Sequence, residues 1–505
     1  MYCTFKATDR NIKTGDIMIL ETKRLILRPW TEADAEYLLK YASDERIGPA
    51  AGWPPHKTID DSIKAIRTVL SAPETYAVIP KDTGHPVGSI GLSFGVSSNI
   101  GLPQKEAEIG YWIAVPFWGR GLIPEAMSEI IRRAFTDLKA KNLWCGYFDG
   151  NNKSKRVQEK CGFKYQYTIK DVPWPLIDAV KTEHITRLTK SEWEKSQLNK
   201  ATKKWLKNNC PKGFTGKTVL ITGANSGVGF KSAEIMAYLG ANVIMACRNI
   251  EKAEAARSIL LGKYPGTEIT VLPLDLADFS SVDEFVRTIK EQNTDIDVFL
   301  NNAGVFRKPN ERTKDGFDLV MGTNYFGVYY LTEKIMPYLE TLPHPVLYIN
   351  TTSIIHKIAK IDYNDFYFEE KYNNFAVYAR SKLCLAKYTY YKAKQYENSN
   401  VKFLLNHPGI AITPLGINAF GTFVGRLAKL AGKIFNSPEK SALSLAFIMA
   451  NDPPAGSITG PNLLFGGWGF PKQNKVSSKV KIGGEELINF TEKEITKHSK
   501  KTLRR

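Results

Sequence analysis

The pattern of apolar and polar positions divides the chain into two parts. Between residues 19 and 194, apolar and polar residues alternate over short stretches, as in strands that bury one face. In ETKRLILRPW, at 21–30, this alternation places Leu25 and Leu27 on one strand face. Further strands are predicted at TYAVIP, VGSIGLSF and AEIGYWIAV, and amphipathic helices are predicted after Thr31 and over 59–70. The first part is therefore predicted to be an α/β domain.

From about residue 213 the chain changes to short, continuously apolar runs separated by helices. The runs end near residues 222, 249, 275 and 304. Strands that are buried on both faces of a parallel sheet have this composition. Because strand and helix alternate, we predict a doubly wound parallel sheet. Its predicted helices include 230–239 and 251–261, and SITGPNLLFGG at 457–467 is its predicted last strand.

These patterns divide the 505 residues into four segments. The two predicted domains cover 19–194 and 213–472. Residues 195–212, KSQLNKATKKWLKNNCPK, are basic and prone to form a helix, so they form either an interdomain helix or a simple linker. The lysine-rich tail at 473–505 is expected to be peripheral or partly disordered.

The composition is that of a globular protein of the cytoplasm. Hydrophobic residues make up 43% of the chain and charged residues 24%, and the mean hydropathy is −0.26. No apolar run is long enough to span a bilayer, and the first 18 residues lack the apolar stretch of a secretory signal. The six cysteines show no CxxC spacing, which favours free thiols in a reducing compartment and predicts no metal site.

A net charge of +18 makes nucleic acid a candidate partner, because clustered lysines bind phosphate backbones. The basic residues, however, are spread along the whole chain and are dense only at 200–209 and 497–505. Nucleotide cofactors and coenzyme A are also anionic. We therefore expect small-molecule substrates and no specific nucleic-acid partner.

A glycine-rich turn follows the first apolar run of the second part. The sequence KTVLITGANSGVG at 217–229 places Gly223, Gly227 and Gly229 between a predicted strand and a predicted helix. Glycines at such a turn let a pyrophosphate approach the N–H groups of the helix N-terminus, although a tight turn without a ligand would look similar. Arg248, after the next strand, offers a cation to a 2′-phosphate, which favours NADP(H) over NAD; a surface arginine in a solvated loop is the alternative.

The later motifs resemble those of the short-chain dehydrogenase/reductase family, which has a Rossmann-type fold. TGANSGVG at 222–229, DL at 275–276, NNAG at 301–304, TTS ending at Ser353 and YARSK starting at Tyr378 carry the resemblance. It implies that Asn324, Ser353, Tyr378 and Lys382 are catalytic. The cofactor-binding residues that we assign are Thr222, Gly223, Asn225, Ser226, Gly227, Val228, Gly229, Arg248, Asp275, Leu276, Asn302, Ala303, Gly304, Tyr378, Lys382, Pro408, Gly409 and Thr413.

The spacing of these residues suits proton and hydride transfer. Tyr378 and Lys382 are four residues apart, so a helix would present them on one face, and a nearby ammonium favours the phenolate. Ser353 is expected to hydrogen-bond the same substrate oxygen as Tyr378. The resemblance implies that Asn324 holds a water molecule in a proton relay.

Three further features resemble the branch of the family that contains retinol dehydrogenases. They are ACRN at 246–249, HPGIAIT at 407–413 and the long interval between Ser353 and Tyr378. The branch implies NADP and a lipophilic alcohol or carbonyl substrate. The apolar segment after Pro414 is interpreted as a substrate lid, or else as a helix that makes transient contact with a membrane surface. Oligomer formation through this domain is a further expectation.

The first part resembles the GNAT acetyltransferases, in particular the ribosomal-protein alanine acetyltransferases. ETKRLILRPW, WGRGLIPEA at 118–126 and EKCGF at 159–163 carry this resemblance, which implies a mixed sheet splayed around acetyl-CoA and an amine acceptor such as a protein or peptide N-terminus. The chain departs from the family pattern at Pro116 and Pro124. The residues assigned to acetyl-CoA are Trp118, Gly119, Arg120, Gly121, Leu122, Asn151 and Ser154.

Two side chains are candidates for proton transfer in the acetyltransferase part. Glu108 is either a base that deprotonates the amine or an ordinary exposed strand carboxylate. Ser154 either protonates the leaving thiolate or caps a helix. The sequence thus predicts a bifunctional fusion of an acetyltransferase and an NADP(H)-dependent oxidoreductase. The alternatives are a GNAT module that binds acyl-CoA or a protein without turnover, and a reductase part that acts as a nucleotide-sensing scaffold.

Overall fold

A computed structural model of the protein divides into two units. The structure describes residues 18–22, 24–264, 266–306, 311–368, 372–409, 436–463 and 467–502. The first unit covers the chain up to Gln197 and the segment Ser258–Gly266, and the second covers Leu198–Arg257 and the chain from Thr267. The units are described separately below.

The first unit contains an eight-stranded mixed sheet with the order β1-β2-β3-β4-β5-β6-β8-β7. All of its neighbouring strands are antiparallel except β5 and β6. This parallel pair holds together only from Glu106–Asn142 to Glu108–Trp144, although both strands continue, so a gap opens between them. The strands are β1 Leu20–Glu21, β2 Leu25–Arg28, β3 Thr75–Pro80, β4 Gly88–Phe94, β5 Glu106–Ile113, β6 Asn142–Phe148, β7 Lys164–Trp174 and β8 Ala179–Thr189.

The helices of this unit begin where the sequence supplies caps. Thr31 forms a capping box with Asp34 around a short 3-10 turn, and Thr58 does the same with Asp61 at the start of α3. The predicted helix over 59–70 changes to a π turn at Ile66–Leu70. The α-helices are α1 Ala35–Ala42, α2 Gly48–Ala51, α3 Ile59–Ala65, α4 Leu122–Thr136, α5 Asn152–Lys160 and α6 Lys190–Ser196.

The second unit contains the doubly wound sheet that the sequence predicts. Its order is β11-β10-β9-β12-β13-β14-β15-β16, and every neighbouring pair is parallel except the last. The predicted last strand does not close this sheet, because its described residues Ile458–Leu463 pair with a further strand in antiparallel fashion. The strands are β9 Thr218–Thr222, β10 Asn242–Cys247, β11 Ile269–Pro273, β12 Val298–Asn301, β13 Val346–Thr351, β14 Val401–Asn406, β15 Ile458–Leu463 and β16 Trp468–Asn474.

Helices connect these strands, and helices and strands together supply the core of the unit. The large aromatic side chains Tyr325, Tyr348, Tyr388 and Phe403 are fully buried in it. The first helix begins at Gly227 and not at Phe230 as predicted, so the glycine turn itself supplies its first turn. The helices are α7 Lys200–Asn209, α8 Gly227–Tyr238, α9 Ile250–Lys263, α10 Phe279–Glu291, α11 Leu319–Met321, α12 Gly327–Leu339, α13 Asn374–Gln395, α14 Pro438–Asn451, α15 Ser478–Lys481 and α16 Gly484–Thr502.

The expectation of a peripheral, partly disordered tail is wrong for its described residues. Leu487 and Thr491 of α16 are fully buried, and Thr491 lies 2.6 Å from the Tyr325 hydroxyl. The predicted linker likewise packs into the second unit, since Leu206 of α7 is buried and the Asn199 amide donates to Glu439. Both segments look polar because apolar residues occupy only one helix face.

The burial of α16 gives a testable expectation. Replacing Leu487 with Ala removes a fully buried side chain and should lower the free energy of unfolding of the second unit by about 2–5 kcal/mol. Urea denaturation measures this change. Ile482→Ala is the matched control because Ile482 is 66% exposed. Equal stability of the two variants would show that the C-terminal helix does not support the core.

No helix in the described part of the chain combines the length and apolar character that a bilayer crossing requires.

Candidate active sites

The glycine turn of the second unit is shaped by close backbone packing. Gly223 has φ +67°, and a Cβ there would lie 3.0 Å from the Ala303 Cα. A Cβ on Gly229 would collide with the Gly223 carbonyl oxygen and with the Asn302 side chain. Both positions therefore require glycine.

Residues of β9 and β12 tie the turn to the next strand. Thr222 is fully buried, and its Oγ1 accepts hydrogen bonds from the amides of Asn302 and Ala303, both at 3.0 Å. The Asn302 side chain donates to the Thr222 carbonyl oxygen at 3.0 Å. These bonds fix the NNAG segment beside the turn.

The first turn of α8 supplies backbone donors. Ser226 is its extended N-cap residue and makes no side-chain cap bond. The N–H groups of the first helical turn have no intrahelical acceptor, which makes this helix start suitable for a phosphate. Asn225, Gly227 and Val228 lie in this segment, as predicted from the sequence.

Arg248 and Asp275 follow neighbouring strands at the same edge of the sheet. Arg248 comes directly after β10, its side chain is 58% exposed, and a guanidinium nitrogen lies 4.0 Å from the Asp275 carboxylate. Asp275 also accepts a hydrogen bond from the Ala277 amide, and Leu276 is buried. A long contact to one partly exposed carboxylate leaves most of the Arg248 donors available.

Asn324 lies in a π turn that spans Gly322–Phe326, between α11 and α12. Its side chain is fully buried and bonds both the amide and the carbonyl of Val305, at 2.7 and 3.0 Å. Its amide nitrogen also donates to Ser381 at 3.2 Å. A π turn re-aims the side chains of a helix, and here it directs Asn324 at the loop after β12.

Lys382 is buried on α13, and its ammonium donates to the Thr351 carbonyl oxygen at 2.9 Å. Burial lowers the pKa of Lys382 to about 8. A Cβ on Gly304 would lie 3.2 Å from Asn324 Oδ1 and 3.4 Å from Lys382 Nζ, so these three predicted site residues are brought together.

Tyr378 lies one turn before Lys382 on α13, and Ser353 is the polar side chain that influences the pKa of its hydroxyl. Burial raises the pKa of Tyr378 to about 12, although the Ser353 side chain opposes this shift. The sequence argument expected the ammonium to lower this pKa. In the structure the Lys382 ammonium lies 5.9 Å from the centroid of the Tyr378 ring and donates to the Thr351 carbonyl oxygen. The effect of burial on the pKa of Tyr378 therefore outweighs that of the ammonium.

The loop after β14 completes this edge of the sheet. Pro408 accepts a hydrogen bond from Ser441, and Gly409 has φ +75°. A Cβ on Gly409 would lie 2.7 Å from the Gly467 carbonyl oxygen. Thr413 and the segment interpreted as a lid or membrane-surface helix lie outside the described residues.

In the first unit, the loop from Trp118 to Leu122 leads from the end of β5 into α4. Gly119 and Gly121 have φ +75° and +71°, and Gly121 is the N-cap residue of the helix. Arg120 forms an ion pair with Asp82 at 3.1 Å, and its carbonyl accepts from Arg24. Leu122 is buried at the helix start. The first-turn N–H groups of α4 therefore face the loop without intrahelical acceptors.

Glu108 is not the exposed carboxylate that was its alternative interpretation. It is 7% exposed and accepts hydrogen bonds from the Asn99 amide at 2.7 Å and from the Asn99 side chain at 3.3 Å. Burial raises the pKa of Glu108, while the Asn99 hydrogen bonds oppose the shift. It lies on β5 at the last residue pair before the gap opens toward β6.

Ser154 is not a helix cap. Asn151 caps α5 by accepting from the Ser154 amide at 3.1 Å, whereas the Ser154 hydroxyl lies 2.8 Å from the hydroxyl of Tyr111. Burial raises the pKa of Tyr111 well above its usual range, so its phenol stays protonated. The gap between β5 and β6 thus has a carboxylate at its start and a hydroxyl pair beside it.

The sequence interpretation missed two residues near this gap. Tyr111 follows Glu108 by three positions, so it points to the opposite face of the strand. Glu183 of β8 is 7% exposed, and burial together with the Glu108 charge raises its pKa to about 7. The alternation of side chains between the two faces of β5 could have indicated that Tyr111 lies beside the gap. Nothing in the sequence indicates that Glu183 faces Glu108 from a strand 75 residues later.

Two family models match different parts of this chain. Residues 24–164 match the model of the acetyltransferase (GNAT) domain, and residues 217–421 match that of the short chain dehydrogenase. Retinol dehydrogenase 13 from Mus musculus is 36% identical over 242 residues, which are 46% of this chain and 72% of that protein. For the Homo sapiens protein of the same name, the identity is 38% over 210 residues, which are 41% of this chain and 63% of the relative.

A solved acetyltransferase of the GNAT family from Bacillus anthracis is also similar to this chain. It is 20% identical with a TM-score of 0.31, and the match covers 35% of this chain and 100% of that one.

Proposed function

We propose an activity from the family to which the chain belongs through its second unit, the short-chain dehydrogenases. The proposed activity is that of an NADP(H)-dependent oxidoreductase that interconverts an apolar alcohol and its carbonyl compound. One observation carries the proposal. The buried Lys382 and Asn324 side chains lie together beside Gly304, just after β12, and Tyr378 lies one helical turn before Lys382. The Ser353 hydroxyl is near enough to influence the pKa of the Tyr378 phenol. The name of the similar retinol dehydrogenases supports an apolar substrate.

The residues present fit a dinucleotide. Gly223 and Gly229 allow the turn to pack tightly against Ala303 and Asn302, and the first turn of α8 offers N–H donors to a pyrophosphate. Arg248 is exposed beside Asp275, where an adenosine ribose and its 2′-phosphate would bind. When bound, the nicotinamide supplies or accepts the hydride.

The side chains of this unit provide the proton and the orientation. Tyr378 is protonated at neutral pH, so it can donate its proton to the oxygen of a carbonyl substrate. Ser353 donates a hydrogen bond to the same oxygen and stabilises the charge that develops there. Lys382, held by the Thr351 carbonyl, is the adjacent cation, and Asn324 fixes the loop at Val305. This arrangement favours reduction at neutral pH.

The cofactor preference has its own test. Arg248→Ala should raise the KM for NADPH by about 10- to 100-fold, because a charge-assisted hydrogen bond contributes about 1.5–3 kcal/mol. The KM for NADH should change little. Arg287→Ala is the control, since Arg287 is exposed and pairs with Glu284 and Glu291 on its own helix. An equal change in the KM for NADPH and for NADH would show that Arg248 does not bind the 2′-phosphate.

We further propose that the first unit transfers an acetyl group from acetyl-CoA to an amine. The first turn of α4 and the gap between β5 and β6 support a bound acetyl-CoA, with Trp118, Asn151 and Ser154 beside it. Glu108 accepts the proton of the amine, whose nitrogen attacks the thioester carbon. A carbon–nitrogen bond forms, the carbon–sulfur bond breaks, and the sulfur takes a proton from the Ser154 and Tyr111 hydroxyl pair.

One experiment on the full chain tests both activities. NADPH oxidation is followed with a series of aldehydes and ketones of increasing chain length, and thiol release from acetyl-CoA is followed with a series of amines. We expect carbonyl reduction to improve with chain length and thiol release to require an amine. Tight acetyl-CoA binding with no thiol release would favour the binding module, and NADPH binding with no reduction would favour the nucleotide-sensing scaffold.

A further inference from the structure

Two buried carboxylates share one face of the sheet in the first unit. Glu108 of β5 is in register with Trp144 of β6, and side chains of paired residues point to the same face. Gly146 follows Trp144 by two positions and has the same orientation. The Glu183 carboxylate lies directly over Gly146, where a Cβ would collide with it. Glu108 and Glu183 therefore face the same space from opposite sides of the gap.

Glu183 is buried without a compensating partner. It is 7% exposed, yet no group in the described part of the chain donates a hydrogen bond to it or forms an ion pair with it. Lys181, two positions earlier, instead lies over the Phe148 ring at 5.9 Å. Buried carboxylates are normally paired, so an unpaired one in a cleft indicates a ligand that brings the positive charge.

A buried donor without an acceptor lies near the same strand. Within the described residues, the indole N–H of Trp174 is buried and has no hydrogen-bond partner. The Trp174 ring packs edge-on against Phe148, with the centroids 5.1 Å apart. Phe148 pairs with Glu183 across β6 and β8. The unpartnered Trp174 donor and the Glu183 carboxylate, which has no ion-pair partner among the described residues, are thus both next to Phe148.

On the sheet face of Glu108, the space over Gly110 is open, and aromatic rings lie farther along the same face. Gly110 of β5 shares the face of Glu108, it is exposed, and a Cβ added there would meet nothing within 4 Å. Trp112 continues this face and packs edge-on against Trp53 at 5.9 Å. Aromatic rings beside a carboxylate favour an organic cation with an apolar body.

We propose that Glu183 binds the ammonium group of the acceptor amine, and that the Trp174 indole N–H donates a hydrogen bond to an oxygen or nitrogen of the same molecule. The acceptor is then a small primary amine with an aromatic or other apolar body. This inference rests on the proposed acetyl transfer for its meaning as an acceptor site. Glu183 is a binding residue and Glu108 is the base, so the two carboxylates have separate roles.

The charge of the site is consistent with this role. Burial raises the pKa of Glu183 to about 7, and the Glu108 carboxylate contributes to the shift. Two carboxylates in one buried space repel each other, and a bound cation relieves this repulsion. Because an ammonium ion favours the charged form of both groups, amine binding also prepares Glu108 to accept a proton.

The test uses the full chain with phenethylamine as acceptor and 2-phenylethanol as its neutral counterpart. Glu183→Gln should raise the KM for phenethylamine by about 10- to 100-fold, with the KM for acetyl-CoA unchanged and kcat within a few fold. Trp174→Phe keeps the ring and should raise the KM for 2-amino-1-phenylethanol more than that for phenethylamine. Glu36→Gln is the control, because Glu36 is exposed on α1.

Direct binding separates this inference from the proposed reaction. Titration calorimetry should show that the wild-type protein binds phenethylamine at least tenfold more tightly than 2-phenylethanol, and that Glu183→Gln removes this preference. If acetyl-CoA binds but no amine releases thiol, acetyl transfer is wrong, and the calorimetry still decides the role of Glu183. Equal affinity for amine and alcohol, or an unchanged KM in Glu183→Gln, overturns the inference.

Discussion

Replacing Tyr378 with Phe should lower kcat for carbonyl reduction by about 10²- to 10⁴-fold, the usual contribution of a general acid. The change removes only the phenol hydroxyl and keeps the ring that packs against Phe306, with the ring centroids 5.5 Å apart. The Kd for NADPH should therefore change little. NADPH oxidation in the steady state and NADPH titration measure the two quantities separately.

The same helix offers a matched control. Tyr390 is also partly buried on α13 and packs against the smaller apolar cluster around Leu383 and Leu405. Tyr390→Phe should keep full activity. A Tyr378→Phe protein that turns over at the wild-type rate would remove Tyr378 from the mechanism, whereas a parallel loss in both variants would indicate a general effect on α13.

Replacing Gly229 with Ala should abolish measurable NADPH binding and lower the thermal stability of the second unit. A Cβ at this position would collide with the Gly223 carbonyl oxygen, which is backbone and cannot move without opening the turn. It would also displace Asn302, whose side chain donates to the Thr222 carbonyl oxygen. We expect an affinity loss of more than about 100-fold, since overpacking of this kind costs about 1–3 kcal/mol or more.

Gly262→Ala is the control for this substitution. Gly262 lies inside α9, in the segment that belongs to the first unit, and an added Cβ would meet only ordinary contacts of 3.6 Å or longer. Because alanine favours helix more than glycine by about 1 kcal/mol, this variant should be as stable as the wild type or more so. NADPH titration and thermal unfolding of both variants complete the test. Normal NADPH affinity in Gly229→Ala would exclude the glycine turn as the pyrophosphate site.

The sequence predicts most of the second unit because its signals are local. A continuous apolar run, a glycine turn and a helix follow one another within 217–238, and each element depends on residues near it in the chain. Tyr378 and Lys382, four positions apart, likewise lie on one helix. Short-range periodicity is sufficient to place these groups, and the structure brings them together as expected.

The missed features depend on distant pairing. Glu183 faces Glu108 only because β8 pairs with β6 and β6 pairs with β5. The direction of the Tyr378 pKa depends on burial by Phe306 and other residues from several segments, which composition does not indicate. The burial of α16 also depends on a tertiary contact, since Thr491 reaches Tyr325 across more than 160 positions of the chain.

The π turn at Gly322–Phe326 sets stability against the position of Asn324. It contains one residue more than a regular helical turn, and each residue of an α-helix adds a rotation of about 100°. Deleting one residue there would let α11 and α12 join as a continuous helix with better backbone hydrogen bonds. Asn324 would then turn away from Val305. Selection for stability alone would favour the loss of this turn, so we expect one-residue deletions here to stabilise the second unit and to lower the proposed reductase activity.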